Sequence, residues 1–313
     1  MQGARRAKPE GIDAVANGLI MTFSRVLSPP PSRSPASAMQ YAMRFPTAIL
    51  LLTCVLAAEA QQVDKVALAH AAAGEATTTL AKVRSVVRWA NESFKWTYTD
   101  YRQRSVDEII TRKGGNCFEQ TMVVAALLNE LGIRTRSVRE INIQPESRLR
   151  RWSAARRVAK TGPSASVFGY RHNDHVWMEF WDDASRQWTP ADPALDLVGL
   201  DAWLKARVGF GARPTHRILP SRDMLVPIAI FAQTDSTMES RSVEYLISGF
   251  NTAYGSRLEK LATWSEWTAA IAALEPEARG AFEGRVNLHE HGDDILKAKI
   301  AYRKLAAEHT AAR

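Results

Sequence analysis

Cys117 stands in Gly114-Gly115-Asn116-Cys117-Phe118-Glu119-Gln120, where a glycine pair and a strong N-cap residue announce a helix start. A thiol in the first turn of a helix faces the positive end of the backbone dipole, which favours thiolate over thiol. That turn also presents unpaired backbone N–H groups, and the amide of Cys117 is the natural donor to an oxyanion. Downstream, His175 opens the alternating run His175-Val176-Trp177-Met178-Glu179-Phe180-Trp181, and Asp192 closes Trp188-Thr189-Pro190-Ala191-Asp192-Pro193. Sulfur, imidazole and carboxylate in series are the parts of an acyl-transfer site: nucleophile, general base then acid, and the group that orients the ring. An uncompensated charge on Glu119 would work against the thiolate, so activation also needs a nearby imidazolium.

Each residue alone has a plainer reading. A lone cysteine is more commonly a small buried hydrophobe, and a His beside an Asp is more commonly a structural pair. Their conjunction, and a count along the chain, point to chemistry. Strands at about 175–181 and 186–191 flank the polar turn Asp182-Asp183-Ala184-Ser185. An antiparallel hairpin closed by residues 182–185 pairs Trp181 with Arg186 and sets His175 directly opposite Asp192, within reach of a hydrogen bond. Pro190 marks an edge or a bulge, which would shift that register.

The elements that must hold these residues are legible around them. Leu80, Val83, Val86, Val87 and Ala90 recur at helical spacing over residues 77–93, and Phe94, Trp96 and Tyr98 alternate like a short strand. Ser105 with Glu108 is a capping-box signature for a short helix ended by Gly114 and Gly115. The helix carrying Cys117 spans 117–131, apolar almost all round, and Gly132 stops it. A strand at 133–143, a long basic loop at 144–168, a short helix near Leu200 to Ala206 and a strand at Val226 to Phe231 follow. From about Glu239 the chain reads as helical, with Trp264 and Trp267 at core spacing.

The chain has 313 residues, enough for one ordinary domain and a modest second one. With 46% hydrophobic residues and nine Trp, its composition excludes a disordered or low-complexity protein over most of its length. The first sixty residues differ. Residues 1–42, with Ser28-Pro29-Pro30-Pro31, bury nothing and read as a disordered extension or a mis-assigned start, with Met39 and Met43 as alternative initiators. Residues 43–60 read as a secretory signal: Met43-Arg44, an apolar run from Thr47 to Ala58, and the small-x-small site Ala58-Glu59-Ala60. That run is shorter than the ~18 apolar residues of a spanning helix. Thr53 before Cys54, and the apolar residues after it, argue against a lipid anchor at Cys54. The expectation is an exported protein, periplasmic or secreted, whose mature form keeps one thiol and no intrachain disulfide.

The formal charge of +8 includes six Lys/Arg against three Asp/Glu in residues 1–60, leaving +5. Such a modest excess does not imply nucleic acid. It concentrates in Arg148, Arg150, Arg151, Arg156, Arg157 and Lys160, a solvated loop face that alternatively meets an anionic surface, envelope polymer or acidic substrate. His289, Glu290, His291, Asp293 and Asp294 make a weak metal set, because His-x-His does not share one helix face, and His172 with His175 is weaker still. No metal or other cofactor is expected.

Three blocks of the chain resemble the transglutaminase-like superfamily, a branch of the papain-like cysteine hydrolase architecture. They are Gly115-Asn116-Cys117 with Leu131-Gly132-Ile133-Arg134-Thr135-Arg136, then His175-Val176-Trp177-Met178-Glu179, then Trp188-Thr189-Pro190-Ala191-Asp192-Pro193. The resemblance covers roughly residues 77–200. It implies an α+β fold, with the nucleophile's central helix packed on an antiparallel sheet, in a transglutaminase-like domain at 61–235; it does not extend to the helical C-terminal region at 236–313. It also implies Cys117 as nucleophile, His175 as base then acid, Asp192 as the orienting carboxylate and a thioester intermediate, with water or an amine as acceptor. Trp96, Tyr98 and Gln103 are candidates for a second oxyanion donor. Trp177, Trp181 and Trp188 are candidates for a substrate groove, although aromatic residues on a hairpin are more commonly packing. The expected substrate is an amide bond of a protein or cell-envelope peptide; the alternative is a catalytically silent module of the same fold that binds peptide or envelope polymer.

Overall fold

A computed structural model describes residues 62–97, 102–143, 175–210, 226–233, 238–283, 285 and 292–312. The expected signal at 43–60, Cys54, Tyr98, the basic run from Arg148 to Lys160, His172, and His289 to His291 lie outside the described residues. Among the described residues no helix is long and apolar enough to cross a membrane.

The chain opens with α1 (Lys65–Ala73), which the sequence reading did not anticipate, and α2 (Thr79–Ser93), whose buried face is Val83, Val86, Val87 and Ala90. The two-residue strand β1 (Lys95–Trp96) leads to α3 (Val106–Arg112), whose capping box forms as its sequence requires. Lys113, in the left-handed conformation at φ 51°, ends α3, so the glycines beyond it do not. They instead form β2 (Gly114–Gly115), which pairs in parallel with β1. A side chain at Gly114 would place a Cβ 2.9 Å from the Lys95 carbonyl oxygen, so the glycine permits this close approach.

Next comes α4 (Cys117–Glu130), then a six-stranded antiparallel sheet. Its strands are β3 (Thr135–Asn142), β4 (His175–Asp182), β5 (Gln187–Asp192), β6 (Leu197–Val198), β7 (Pro227–Gln233) and β8 (Met238–Ser240), in the order β6-β5-β4-β3-β7-β8. Between β6 and β7 lies α5 (Leu200–Arg207). After β8 a π-helical turn (Glu244–Gly249) continues into α6 (Phe250–Ala253), and α7 (Trp264–Phe282) and α8 (Gly292–Ala311) complete the chain.

Helices α1, α2 and α4 cover one face of the sheet, in a core that includes Val123, Val124, Leu127, Leu128, Met178, Phe180 and Ala191. The other face is covered too. Trp177, Val138 and the residues of β7 pack with Trp203, Tyr245, Trp267, Ile271 and Tyr302 in one core. Trp177, Trp203, Trp267, Tyr245 and Phe250 are among the largest fully buried side chains, each stabilising by roughly 1.5–3 kcal/mol through removal from water. Because both faces are covered, β4 is buried at nearly every position, whereas a sheet solvated on one side would alternate.

The β4–β5 register corrects the count from sequence. Trp181 pairs with Trp188 and Asp182 with Gln187, so the turn is residues 183–186. Asp182 organises that turn: its side chain accepts from the amide of Ala184 at 3.3 Å and the hydroxyl of Ser185 at 2.8 Å, and Arg186 takes the left-handed conformation at φ 54°. The turn sits one residue later than expected, which slides the pairing by two. A slide of two keeps every side chain on its face, so Asp192 becomes a diagonal neighbour of His175 on the same side of the sheet.

Candidate active site

Helix α4 begins at Cys117 because Asn116 caps it in both directions. The Asn116 side chain accepts from the Glu119 amide at 3.1 Å, and the Glu119 carboxylate accepts from the Asn116 amide at 3.0 Å. Gly115 makes room for this box, since a Cβ there would lie 2.7 Å from the Cβ of Glu119. The capping interactions use the amides of Asn116, Glu119 and Gln120. Those of Cys117 and Phe118 have no acceptor among the described residues, which is the arrangement an oxyanion pocket needs.

Glu119 is compensated. Its Oε1 accepts from Arg104 at 2.8 Å and lies 3.4 Å from Arg112 Nη1. The acidic charge two residues from the sulfur is thus enclosed by two guanidiniums. Neither arginine stood out in the sequence; an Arg in α3 and another just before it, facing an acidic helix start, is the signal that marks them.

His175 begins β4 and Asp192 ends β5, so both lie at the sheet end where α4 starts. Thr121, one turn into α4, donates to the carbonyl of Val176 at 3.3 Å and ties the helix to the strand. His175 Nε2 lies 2.8 Å from Asp192 Oδ2, and the His175 side chain also hydrogen-bonds that of Cys117. Burial works against a charge on the imidazole, but the Asp192 carboxylate and the Cys117 sulfur outweigh it, raising the ring from 6.5 to about 10. Cys117 keeps 7% of its surface and the His175 side chain 13%, while Asp192 keeps none. The cysteine is thus buried, the ring only partly so, and the carboxylate is sealed from solvent.

Behind Asp192 lies a second layer of charge. Arg207 Nη1, at the end of α5, is 3.3 Å from Asp192 Oδ2, and its Nη2 donates to Glu140. Glu140 pairs with His175 across β3 and β4, and its Oε2 accepts from Trp177 Nε1 at 2.9 Å. Burial raises the Glu140 carboxyl, against the pull of Arg207 and His175. Neither Glu140 nor Arg207 was singled out from sequence. The available signals were a carboxylate inside an otherwise apolar strand and an arginine one turn after Trp203.

The other expected site residues divide. Trp96 pairs with Gly115, two residues before Cys117, and so lies beside the start of α4. Gln103 is exposed and makes no bond to the site among the described residues, while its neighbour Arg104 reaches Glu119. The three tryptophans do not form a groove at the site. Trp177 is fully buried, 4.6 Å from Trp203 and 5.4 Å from Tyr245 between ring centroids, because the face it occupies is covered by α5 and the π-helical turn. Trp181 and Trp188 sit at the turn end of the hairpin, about 20 Å along the strand from His175. There they stack edge to face at 5.5 Å, beneath the guanidiniums of Arg134 and Arg136. Asp293 and Asp294 lie in the first turn of α8, where acidic side chains complement the helix dipole.

Comparison with known proteins bears on this arrangement. The family model of the transglutaminase-like superfamily matches residues 66–193, a span that includes Cys117, His175 and Asp192. No curated protein matches the chain. Among solved structures, a candidate cysteine protease from Cytophaga hutchinsonii is 16% identical, with 43% of this chain and 39% of that one covered at a TM-score of 0.30. A Rad4-Rad23 complex bound to a 6-4 photoproduct UV lesion is 11% identical, with 74% and 51% covered at a TM-score of 0.31. A second Rad4-Rad23 structure, crosslinked to undamaged DNA, is 11% identical, with 78% and 52% covered at a TM-score of 0.32. This chain thus spans about two fifths of the first structure and about half of the others, and overlaps of that quality carry no functional weight. Residues 66–193, which the family model matches, thus form a transglutaminase-like domain.

Proposed function

We propose that this chain is an exported cysteine acyl hydrolase or acyltransferase that acts on amide bonds of protein or cell-envelope peptide through Cys117, His175 and Asp192. The observation that carries the reading is the series itself: sulfur against the imidazole, and the imidazole 2.8 Å from a fully buried carboxylate. In this reading the Cys117 thiolate attacks the amide carbon, and the oxyanion that forms meets the backbone amide of Cys117. Protonated His175 gives its proton to the leaving amine as the C–N bond breaks, leaving a thioester on Cys117. Water or a second amine then attacks the thioester, His175 takes the proton of the incoming nucleophile, and the thiolate leaves. Asp192 holds Nε2 throughout and supports the charged ring. Export rests on the signal-like segment at residues 43–60.

A peptide and muropeptide library, read for both hydrolysis and amine incorporation, tests this function. Turnover lost in Cys117→Ala supports it; turnover retained in a clean Cys117→Ala preparation rejects it. One observation favours the second reading, a silent module that binds peptide or envelope polymer: only 7% of Cys117 is exposed. Iodoacetamide labelling across pH separates the two. A sulfur that labels like an ordinary free thiol favours the module.

A further inference from the structure

We infer that Arg207 is a positioning residue for the triad, holding the Asp192 carboxylate turned toward the His175 ring. The inference rests on the reading of Cys117, His175 and Asp192 given above. Arg207 is buried at the last turn of α5 and uses two prongs of its guanidinium on two carboxylates. Nη1 lies 3.3 Å from the same Asp192 oxygen that bonds His175, and Nη2 donates to Glu140, which has no exposed surface. A planar fork can bridge two carboxylates in this way, whereas an ammonium is a point charge on a flexible stem.

The electrostatics of the cluster indicate what the fork prevents. Without Arg207, two buried carboxylates would face one imidazolium, and like charges brought together in a poorly solvated site take up a proton. Burial already favours the neutral form of Glu140, and the charge of Asp192 adds to that. A proton gained by the carboxylate pair weakens the counter-charge that His175 sees. The Asp192 side chain would also lose the contact that fixes its rotation behind the ring.

Arg207 is itself placed by the C-terminal elements. Its guanidinium lies 5.6 Å from the Trp203 ring, which packs against Tyr245 at 5.1 Å. The hydroxyl of Tyr302, on α8, donates to the carbonyl of Val208 at 2.9 Å and lies 3.3 Å from that of Gly209, clamping the chain just beyond α5. Gly249 permits the π-helical turn beside α5, since a Cβ there would lie 2.8 Å from the Glu244 carbonyl oxygen of that turn and 3.2 Å from Leu204 Cδ1 of α5. Residues far beyond the family match thus reach the triad through one helix.

The test is an NMR titration of the His175 ring in the full chain, its resonance assigned by loss in His175→Gln. The native ring is expected to titrate at about 10, and Arg207→Met at least about one pH unit lower, a tenfold weaker hold on the proton. An unchanged or higher midpoint in Arg207→Met overturns the inference, because removing a cation that acted only by its charge would raise the ring. Should Arg207→Met fail to fold, Arg207→Lys keeps the charge and loses the fork: a lower midpoint supports positioning, and an unchanged or higher one overturns it. A native midpoint near 6.5 would sink the triad reading and this inference with it, so the native curve alone tells the two failures apart.

Discussion

Two buried carboxylates on the same face of the sheet, Asp192 and Glu179, are surrounded by cations in nearly the same way, yet only one neighbourhood can move a proton. Glu179 has no exposed surface and accepts from Arg136 Nε at 2.6 Å, Arg241 Nε at 3.1 Å and the Tyr245 hydroxyl at 2.5 Å. Each of those donors stays protonated at ordinary pH: burial and then Glu179 raise the Tyr245 phenol well above its usual range, and guanidiniums do not titrate. Around Asp192 one arginine is replaced by His175, and the ring also meets the Cys117 thiol. The difference between a structural ion cluster and a candidate catalytic one is thus a single titratable ring placed between a sealed carboxylate and a thiol.

Mutations at the two clusters should separate chemistry from stability. Cys117→Ala is expected to abolish acyl transfer, a loss on the order of 10^6-fold as for other nucleophile deletions, while circular dichroism and the melting curve stay near native. Asp192→Asn should fold and lose on the order of 10^4-fold in turnover, because the ring loses its orienting partner. Glu179→Gln should do the reverse. It is expected to lower unfolding stability by about 3 kcal/mol, leaving buried guanidiniums undercompensated, with alkylation of Cys117 per folded molecule unchanged. Urea unfolding resolves that contrast. If Glu179→Gln slowed the thiol while Asp192→Asn only destabilised the fold, the comparison would fail.

A smaller effect concerns pH. The folded His175 ring titrates at about 10 against 6.5 for an ordinary histidine, so its contribution to stability is full below 6.5 and is lost as pH rises through 10. Unfolding midpoints measured between pH 6 and 10 should fall in the native chain, and that part of the slope should vanish in His175→Gln. The smallest expected change is Asn116→Ala, about 1 kcal/mol from loss of the N-cap. Its readout is the denaturation midpoint.

What could be read in the sequence was local. The caps at Ser105 and Asn116, the helix from Cys117 and the strands carrying His175 and Asp192 follow from patterns a few residues long, and the structure contains each of them. The hairpin register shifted because Asp182 joins the strand while its side chain organises the turn, a choice set by hydrogen bonds that composition does not reveal. Trp177 read ambiguously because a strand pattern cannot say whether its second face is covered. Here the cover comes from α5 and the π-helical turn, distant in sequence. Glu140 and Arg207 stayed hidden for the same reason: each has meaning only beside the other, 67 positions apart.

The most direct test of the account is the reaction of the chain with an activated ester such as p-nitrophenyl acetate, with the acetyl group mapped by mass spectrometry. The account predicts a burst of about one p-nitrophenolate per chain and a single thioester at Cys117, with the burst much slower in His175→Ala and absent in Cys117→Ala. An acetyl group that maps elsewhere, or a burst at Cys117 that proceeds as fast without the imidazole of His175, would contradict it.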